Sequence, residues 1–95
     1  MDIEYGNFVW DEKREAENIL KHDMDFTLAV QVFLDAQRKI FFDEKHSQTE
    51  VRRFCIGKVG IKIMTVRYAE RQGKIRIIGA GYWRGGRKYY HDKKT

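Results

Sequence analysis

Residues 8–33, FVWDEKREAENILKHDMDFTLAVQVF, decide the fold, because they hold the clearest helix start and the clearest apolar stripe of the chain. Residues 8–10 form a strand candidate. The Asp11 that follows can cap a helix, since its carboxylate can accept the free amide protons of the first turn. That helix is predicted to end near His22. Its predicted buried face consists of three apolar residues at helical spacing, namely Ala16, Ile19 and Leu20.

A second, shorter helix is predicted directly after the first. Asp25 is its candidate N-cap, and the helix extends over residues 26–34. Its apolar side is formed by residues that recur at the spacing of one helix face, namely Phe26, Ala29, Val30 and Phe33.

The rest of the chain is predicted to form an antiparallel sheet that backs these helices. Strand candidates lie at residues 38–43, 51–56, 61–68 and 74–80, with hairpin turns at 58–60 and 71–73. Residues 87–91 can form a short C-terminal helix, and 92–95 a tail. We therefore expect an α+β fold: an N-terminal strand and two helices packed on a four-stranded, mainly antiparallel sheet, with a short C-terminal helix. The 95 residues are expected to form one domain, 1–95.

The charge of the chain is uneven along its length. The formal net charge is +5, and basic residues predominate from Arg67 onward, which favours an anionic partner such as nucleic acid. The lone Cys55 cannot form an internal disulfide, so a reduced, cytoplasmic setting is expected. The sequence shows no secretory signal and no apolar run of the roughly 20 residues that a membrane span needs.

Candidate chemistry must come from His, Lys, Arg and Tyr. The chain has no phosphate-binding glycine loop, no dinucleotide fingerprint and no zinc motif, and paired carboxylates are hard to nominate. The available side chains suit RNA cleavage by attack of a 2′-hydroxyl on its own phosphate, because the nucleophile then belongs to the substrate. The protein supplies acid–base groups and cations for the phosphorane charge, without a metal or cofactor.

Lys21 and His22 are the first candidates for this chemistry. The C-terminus of a helix favours a protonated imidazole, which suits a general acid. The alternative is that both residues only complement the helix dipole. Arg71 and Arg76 bracket the last predicted hairpin and can reach one phosphate if that hairpin crosses near the end of the first helix. Cross-strand pairing with an acid is the alternative for them, and Asn18 is predicted to make a structural hydrogen bond.

Further residues are candidates for RNA binding. His46 lies in a polar loop, where capping of a turn is the alternative. The terminal aromatic cluster could stack on bases or pack its helix against the sheet; it comprises Tyr89, Tyr90 and His91. Trp83 with Arg84 could form a base-stacking patch, and a contact with a partner protein or a core anchor explains the pair equally well.

Residues along nearly the whole chain match the signature of a known family. The first group is Trp10-Asp11, Asn18, Lys21-His22, Phe26, Ala29 and Phe33. The second group is His46-Ser47, Arg53 and Gly57, and the third is Tyr68, Arg71 and Arg76-Ile77-Ile78. In these residues and their spacing, the chain resembles the BrnT toxin family from residue 8 to about residue 90.

The resemblance implies a RelE-like fold and a ribonuclease toxin of a type II toxin–antitoxin module. Such a toxin inhibits translation and is neutralised by a BrnA-like antitoxin, through which the complex contacts operator DNA. The catalytic candidates by resemblance are Lys21, His22, Arg71 and Arg76. The RNA-binding candidates are His46, Arg84, Arg87, Lys88 and Tyr90.

The chain departs from the family pattern at two positions of its last strand. Gly79 and Gly81 stand where the family has Ser and Arg. Losing one such donor typically costs on the order of 10²–10³ in rate. Arg84 or Arg87 can substitute from the next turn. The alternative is a weakened or inactive toxin fold that acts as an antitoxin-binding, operon-regulating partner.

Overall fold

A hairpin that sequence analysis missed opens the chain. In a computed structural model that describes residues 1–92, β1 (Asp2–Tyr5) pairs antiparallel with β2 (Phe8–Asp11). Gly6 at the turn has φ +60°, a conformation that glycine adopts without strain. The acids of β1 find their partners about 70 residues away, since Asp2 pairs with Arg76 and Glu4 pairs with Lys74. Local sequence does not show such partners, so the strand was not predicted.

Both predicted helix starts are confirmed. Asp11 caps α1 (Glu12–His22) by accepting from the amide of Arg14 at 3.0 Å. Asp25 caps α2 (Phe26–Val30) by accepting from the amide of Leu28 at 2.7 Å, and a 3-10 turn (Gln31–Leu34) extends it. Both carboxylates satisfy amide protons that the helix itself leaves free.

The predicted buried face of α1 is wrong. Ala16, Ile19 and Leu20 are all exposed, and Leu20 is 87% exposed. The buried residue of this helix is instead Asn18. The reason is that this part of α1 lies beside an open strand edge, which requires hydrogen-bonding partners rather than an apolar surface.

The sheet has six strands, not the four that were predicted. The four predicted strands are present as β3 (Lys39–Phe42), β4 (Arg52–Val59), β5 (Lys62–Arg71) and β6 (Lys74–Gly81). The strand order is β1-β2-β6-β5-β4-β3. The N-terminal hairpin extends the sheet because β2 pairs with β6 in parallel, whereas all other pairs are antiparallel. The sheet is therefore mixed.

Two faces of this sheet carry different elements. The rear face packs on α2 and its 3-10 turn, where the core includes Trp10, Phe26, Val32, Cys55, Tyr68 and Ile77. On the front face, Phe54, Arg67 and Gly79 lie side by side in register. The C-terminal helix α3 (Arg84–His91) packs on this front face, because the Tyr89 ring contacts the ring of Phe41, the register partner of Phe54.

The C-terminal helix begins three residues earlier than predicted, because the Gly85-Gly86 pair in its first turn disguises the helical segment. Of the predicted tail 92–95, residues 93–95 lie outside the part of the chain that the structure describes. Within residues 1–92, no helix is both long and apolar enough to cross a membrane. A 3-10 turn (Glu44–His46) links β3 to the loop before β4.

Candidate active site

Asn18 fixes the end of α1 against the last strand. The register of β2 with β6 reaches only as far as Arg76, so beyond that point the outer edge of β6 has no strand partner among residues 1–92. The Asn18 carboxamide takes the place of that strand. It accepts from the Ala80 amide at 3.1 Å and donates to the Ala80 carbonyl at 2.9 Å. It also donates to the Met24 carbonyl at 2.9 Å, which confirms the predicted structural role.

This clamp holds His22 beside Gly81 of β6, and the register of β5 with β6 places Arg67 beside Gly79. A methyl group at Gly81 would lie 3.4 Å from Nδ1 of His22, and one at Gly79 would lie 3.2 Å from Nη2 of Arg67. The imidazole and the guanidinium thus occupy the space that side chains at these two positions would fill. Among residues 1–92, neither group has a hydrogen-bond or ion-pair partner.

A cavity of about 320 Å³ lies in front of this glycine floor. Its polar lining comes from α1 and β5, with Asn18, His22, Thr65 and Arg67. Its aromatic lining is Phe54, Tyr82 and Trp83. The cavity therefore combines cationic groups with aromatic rings in one lining.

The spacing of His22 and Arg67 suits a phosphate group. Positions 79 and 81 are two residues apart on one strand, which separates them by about 6.6 Å. A phosphate lying between the two side chains could contact a guanidinium and an imidazole at once. A guanidinium neutralises developing negative charge on phosphate oxygens, and an imidazole transfers protons near neutral pH. In the described residues, no group of three or more His, Cys, Asp and Glu side chains converges to hold a metal ion.

Comparison with known families decides which protein class carries this cavity. The model of the ribonuclease toxin BrnT, of type II toxin–antitoxin systems, matches residues 10–85. The chain belongs to the BrnT family. The matched region contains α1, the glycine floor and the whole cavity lining. No individually curated protein is significantly similar to this chain.

As a BrnT member, the chain is a ribonuclease toxin of a type II toxin–antitoxin system, and such a toxin implies a cognate antitoxin. The identified family agrees with the resemblance drawn from the sequence. It does not by itself assign roles to individual residues, so the site has to be argued from geometry.

Two of the predicted catalytic residues of this BrnT toxin, Arg71 and Arg76, lie apart from the cavity. Arg71 forms a bidentate pair with Glu50, with both contacts at 2.7 Å, and Arg76 pairs with Asp2 at 2.7 and 3.2 Å. The Arg71 hydrogen bonds lower the pKa of Glu50, and those of Arg76 lower the pKa of Asp2. Arg71 is four residues from Arg67 on β5, or about 13 Å along the strand. The hairpin thus does not cross near the end of α1.

Two of the predicted RNA-binding residues are held by carboxylates of the chain itself. His46 Nδ1 lies 2.9 Å from Oδ2 of Asp43, at the start of its 3-10 turn. The Tyr90 hydroxyl donates to Asp35 Oδ2 at 2.6 Å, and this hydrogen bond raises the pKa of Tyr90 to about 12.

The other predicted cations are exposed and have no hydrogen-bond or ion-pair partner in the part of the chain that the structure describes. They are Lys21 beside His22 at the end of α1, and Arg84, Arg87 and Lys88 on α3. Lys21 is thus next to the cavity in sequence. The α3 cations follow Trp83, a residue of the cavity lining, along the chain.

Sequence analysis missed Arg67 as a site residue and counted it only as part of the basic half. Its register partner is Gly79, and a bulge between Arg67 and Tyr68 shifts the pairing of β5 with β6 by one residue. A one-residue shift moves side chains between the faces of a sheet. Strand periodicity alone therefore does not show that Arg67 faces the glycine floor. Arg67 could have been predicted as a site residue from one signal, namely a long cationic side chain that pairs across the sheet with a glycine.

Proposed function

We propose that this toxin is a metal-independent RNA endonuclease that acts in the cytoplasm. It cleaves RNA by attack of the substrate's 2′-hydroxyl on the adjacent phosphate, and this cleavage inhibits translation. The observation that carries the proposal is the convergence of the unpaired His22 and Arg67 side chains on the Gly79–Gly81 floor. Family membership supplies the ribonuclease activity, and the cavity is the place in the described residues where an acid–base group and an unpaired arginine meet.

The proposed roles follow from the chemistry of each group. The 2′-hydroxyl gives its proton to water, its oxygen bonds to phosphorus, and the bond from phosphorus to the 5′-oxygen breaks. His22 lies at the C-terminus of α1 beside Gly81, and its imidazole donates the proton that the leaving 5′-oxygen needs. Arg67 binds the phosphorane oxygens and neutralises their charge. Lys21 adds positive charge at the rim of the site.

We assign Arg71 and Arg76 to neighbouring phosphates of the same RNA strand. Both lie on the front face. Ala69 and Arg71 alternate along β5 with Arg67 and so share its face, and Arg76 is the register partner of Ala69. A phosphate that enters must displace Glu50 and Asp2, because these carboxylates now occupy the guanidiniums. The unpaired α3 cations (Arg84, Arg87 and Lys88) add positive charge after Trp83. We extend the proposed RNA contacts to His46 and Tyr90, whose side chains Asp43 and Asp35 now hold.

We further propose that the cognate antitoxin, BrnA-like by family, covers the exposed apolar side of α1. Ile19 and Leu20 stand in solvent beside His22, and exposed apolar clusters mark protein contacts more often than isolated residues do. A partner on this surface would shield the cavity mouth and bring the complex to operator DNA. The arrangement of helices on a mainly antiparallel sheet agrees with the RelE-like fold that the resemblance implies.

The experiment is cleavage of a mixed-sequence RNA by purified protein in excess EDTA. We expect products with a 2′,3′-cyclic phosphate and a free 5′-hydroxyl. His22→Gln should lower the rate by roughly 10²–10⁴-fold, and Arg67→Met by roughly 10²–10³-fold. Arg71→Met and Arg76→Met should weaken binding more than the rate at saturation.

The matched control is Arg14→Met, which removes the same group as Arg67→Met from an exposed position outside the site and should cleave at the unaltered rate. The site assignment fails if His22→Gln and Arg67→Met cleave normally while Arg71→Met and Arg76→Met lose activity. That result would place the catalytic centre at the hairpin end of β6, near Arg71 and Arg76.

A second candidate function is supported by the same glycines. Because positions 79 and 81 carry no side chain, and the hairpin arginines are occupied by Glu50 and Asp2, this copy can be a weakened toxin that chiefly binds antitoxin and regulates its operon. Expression without antitoxin separates the two functions. Growth arrest that His22→Gln relieves supports the nuclease, and harmless accumulation supports the regulator.

A further inference from the structure

The aromatic side of the cavity has no role in the cleavage step described above. Trp83 lies between α3 and the cavity. Its side chain is 49% exposed although Phe54 and Tyr89 pack against the ring. Tyr82, also about half exposed, lines the same space. Exposed aromatic rings beside unpaired cations are the combination that single-stranded nucleic acids meet in protein binding sites.

The Trp83 indole is held in place from behind. It stacks on the Phe54 ring with a centroid distance of 6.1 Å and an interplanar angle of 27°. Tyr89 contacts it at 6.1 Å. The backbone of Gly85 lies so close that a methyl group there would come within 2.7 Å of the indole, so only glycine allows this approach. The ring is a rigid platform, which lowers the entropy cost of stacking a ligand on it.

We propose that the cavity receives the unpaired base of the nucleotide next to the scissile phosphate, with the base stacked on Trp83 and its phosphate between His22 and Arg67. This inference rests on the proposed function. A volume of about 320 Å³ is at the small end of ligand sites, which suits one nucleotide rather than a helix. The base must leave any duplex to reach the indole, so the substrate class is single-stranded RNA.

The lining also predicts how selective the cavity is. Both amide protons of Asn18 are already donated, to Met24 and Ala80. The Thr65 hydroxyl has no hydrogen-bond partner but is buried beneath Gly86, so it does not reach a bound base. With Arg67 on the phosphate, recognition depends on ring faces, which all four bases share, and on the half-exposed Tyr82 hydroxyl, which can donate to or accept from any base. Cleavage should therefore follow single-strandedness and tolerate base identity.

Tryptophan fluorescence provides a direct test. The chain has two tryptophans, and Trp10 is buried with its indole N–H donated to Glu15 at 3.0 Å, so quenching by added ligand reports on Trp83. The probe is a short single-stranded 2′-O-methyl RNA, which lacks the attacking hydroxyl and stays intact. We expect it to quench Trp83, and we expect a fully abasic strand with the same phosphates and a blunt duplex of the same sequence to quench far less.

Variants then measure the contribution of stacking. Trp83→Leu should weaken binding of the probe and lower kcat/KM for single-stranded RNA by about 5- to 150-fold, whereas Trp83→Phe, which keeps a ring face, should lose less. Tyr5→Leu is the matched control, because Tyr5 is exposed to a similar degree but lies on β1, where its ring contacts Trp10 and not the cavity lining. Circular dichroism shows whether each variant remains folded, and quenching of the unaltered chain does not depend on any variant.

Several outcomes contradict the inference. Equal quenching by the abasic strand makes the cavity a phosphate site only, and a preference above 100-fold for one homopolymer excludes recognition through ring faces. If RNA is cleaved with His22 and Arg67 essential but Trp83→Leu behaves as the unaltered chain, the base site is wrong and the proposed nuclease stands. If bases quench Trp83 but no RNA is cleaved, the base site stands and the nuclease is wrong.

Discussion

Replacing Asn18 with alanine should be among the most damaging single changes in α1, although the site is polar and the substitution improves helix propensity. Three buried hydrogen bonds disappear: one from the Ala80 amide, one to the Ala80 carbonyl and one to the Met24 carbonyl. Each buried group left without a partner costs on the order of 1–3 kcal/mol. Because the cavity can admit water to part of this edge, we take about 1 kcal/mol for each group.

The expected loss in free energy of unfolding is therefore about 3 kcal/mol. In a domain of this size, each kcal/mol shifts Tm by roughly 4–8 °C, so the melting temperature should fall by roughly 12–24 °C. Asn18→Asp should be at least as destabilising at pH 7. It keeps the acceptor for the Ala80 amide but turns an anionic oxygen toward two carbonyl groups.

Urea unfolding followed by circular dichroism measures these changes. Glu17→Ala is the matched control, since Glu17 is the exposed neighbour on the same helix and should change stability by less than about 0.5 kcal/mol. If Asn18→Ala unfolds within about 0.5 kcal/mol of the unaltered chain, the carboxamide does not act as the missing strand partner of β6. The positioning of His22 by this clamp would then be wrong as well.

Three further predictions concern groups outside the cavity. Burial raises the pKa of the Cys55 thiol to about 12, so a thiol reagent at pH 8 should react slowly with the folded chain and rapidly in urea. Tyr90→Phe removes a hydrogen bond to a carboxylate and should cost about 1.5 kcal/mol in urea unfolding, whereas Tyr5→Phe should cost less than about 0.5 kcal/mol. The pKa of Glu50 is lowered by Arg71, so the pair stabilises the folded state above the unfolded pKa, about 4.3, and this contribution is lost as pH falls. The difference in Tm between the unaltered chain and Glu50→Gln should thus be constant from pH 7 to about pH 5 and vanish in stronger acid; a difference that persists at pH 2 would refute the assignment.

The helix starts could be predicted from sequence because their causes are local. Asp11 and Asp25 each satisfy an amide three residues ahead, so the residues that form the cap stand together in the chain. The hairpin strands β4, β5 and β6 were predictable for the same reason, since each turn is formed by neighbours, with Gly60 and Gly73 at positive φ. Local signals of this kind do not depend on how the sheet is ordered.

The N-terminal hairpin and the burial of α1 depend on contacts that sequence patterns do not report. Strand β1 gains its stability from pairing with β2 and from cations on β6, and the parallel position of β2 is set by the sheet as a whole. The apolar stripe of α1 predicted that Ile19 and Leu20 are buried. That rule assumes that a helix covers a sheet face, whereas α1 covers a strand edge, and there an asparagine is the residue that can be buried.

The interpretation of Gly79 also changes once its structural neighbours are known. From sequence, a glycine at a position where the family has a serine indicates a lost donor on the strand that faces the phosphate. In the fold, a methyl group at position 79 would crowd the Arg67 guanidinium at 3.2 Å, so the missing side chain leaves the room that Arg67 occupies. The serine lost at position 79 and the arginine on β5 are therefore linked through register, and we infer that Arg67 supplies from the neighbouring strand the donor that the family places on β6. If so, Gly79→Ser displaces the guanidinium without adding an equivalent charge, and a substitution toward the family pattern should lower activity instead of restoring it.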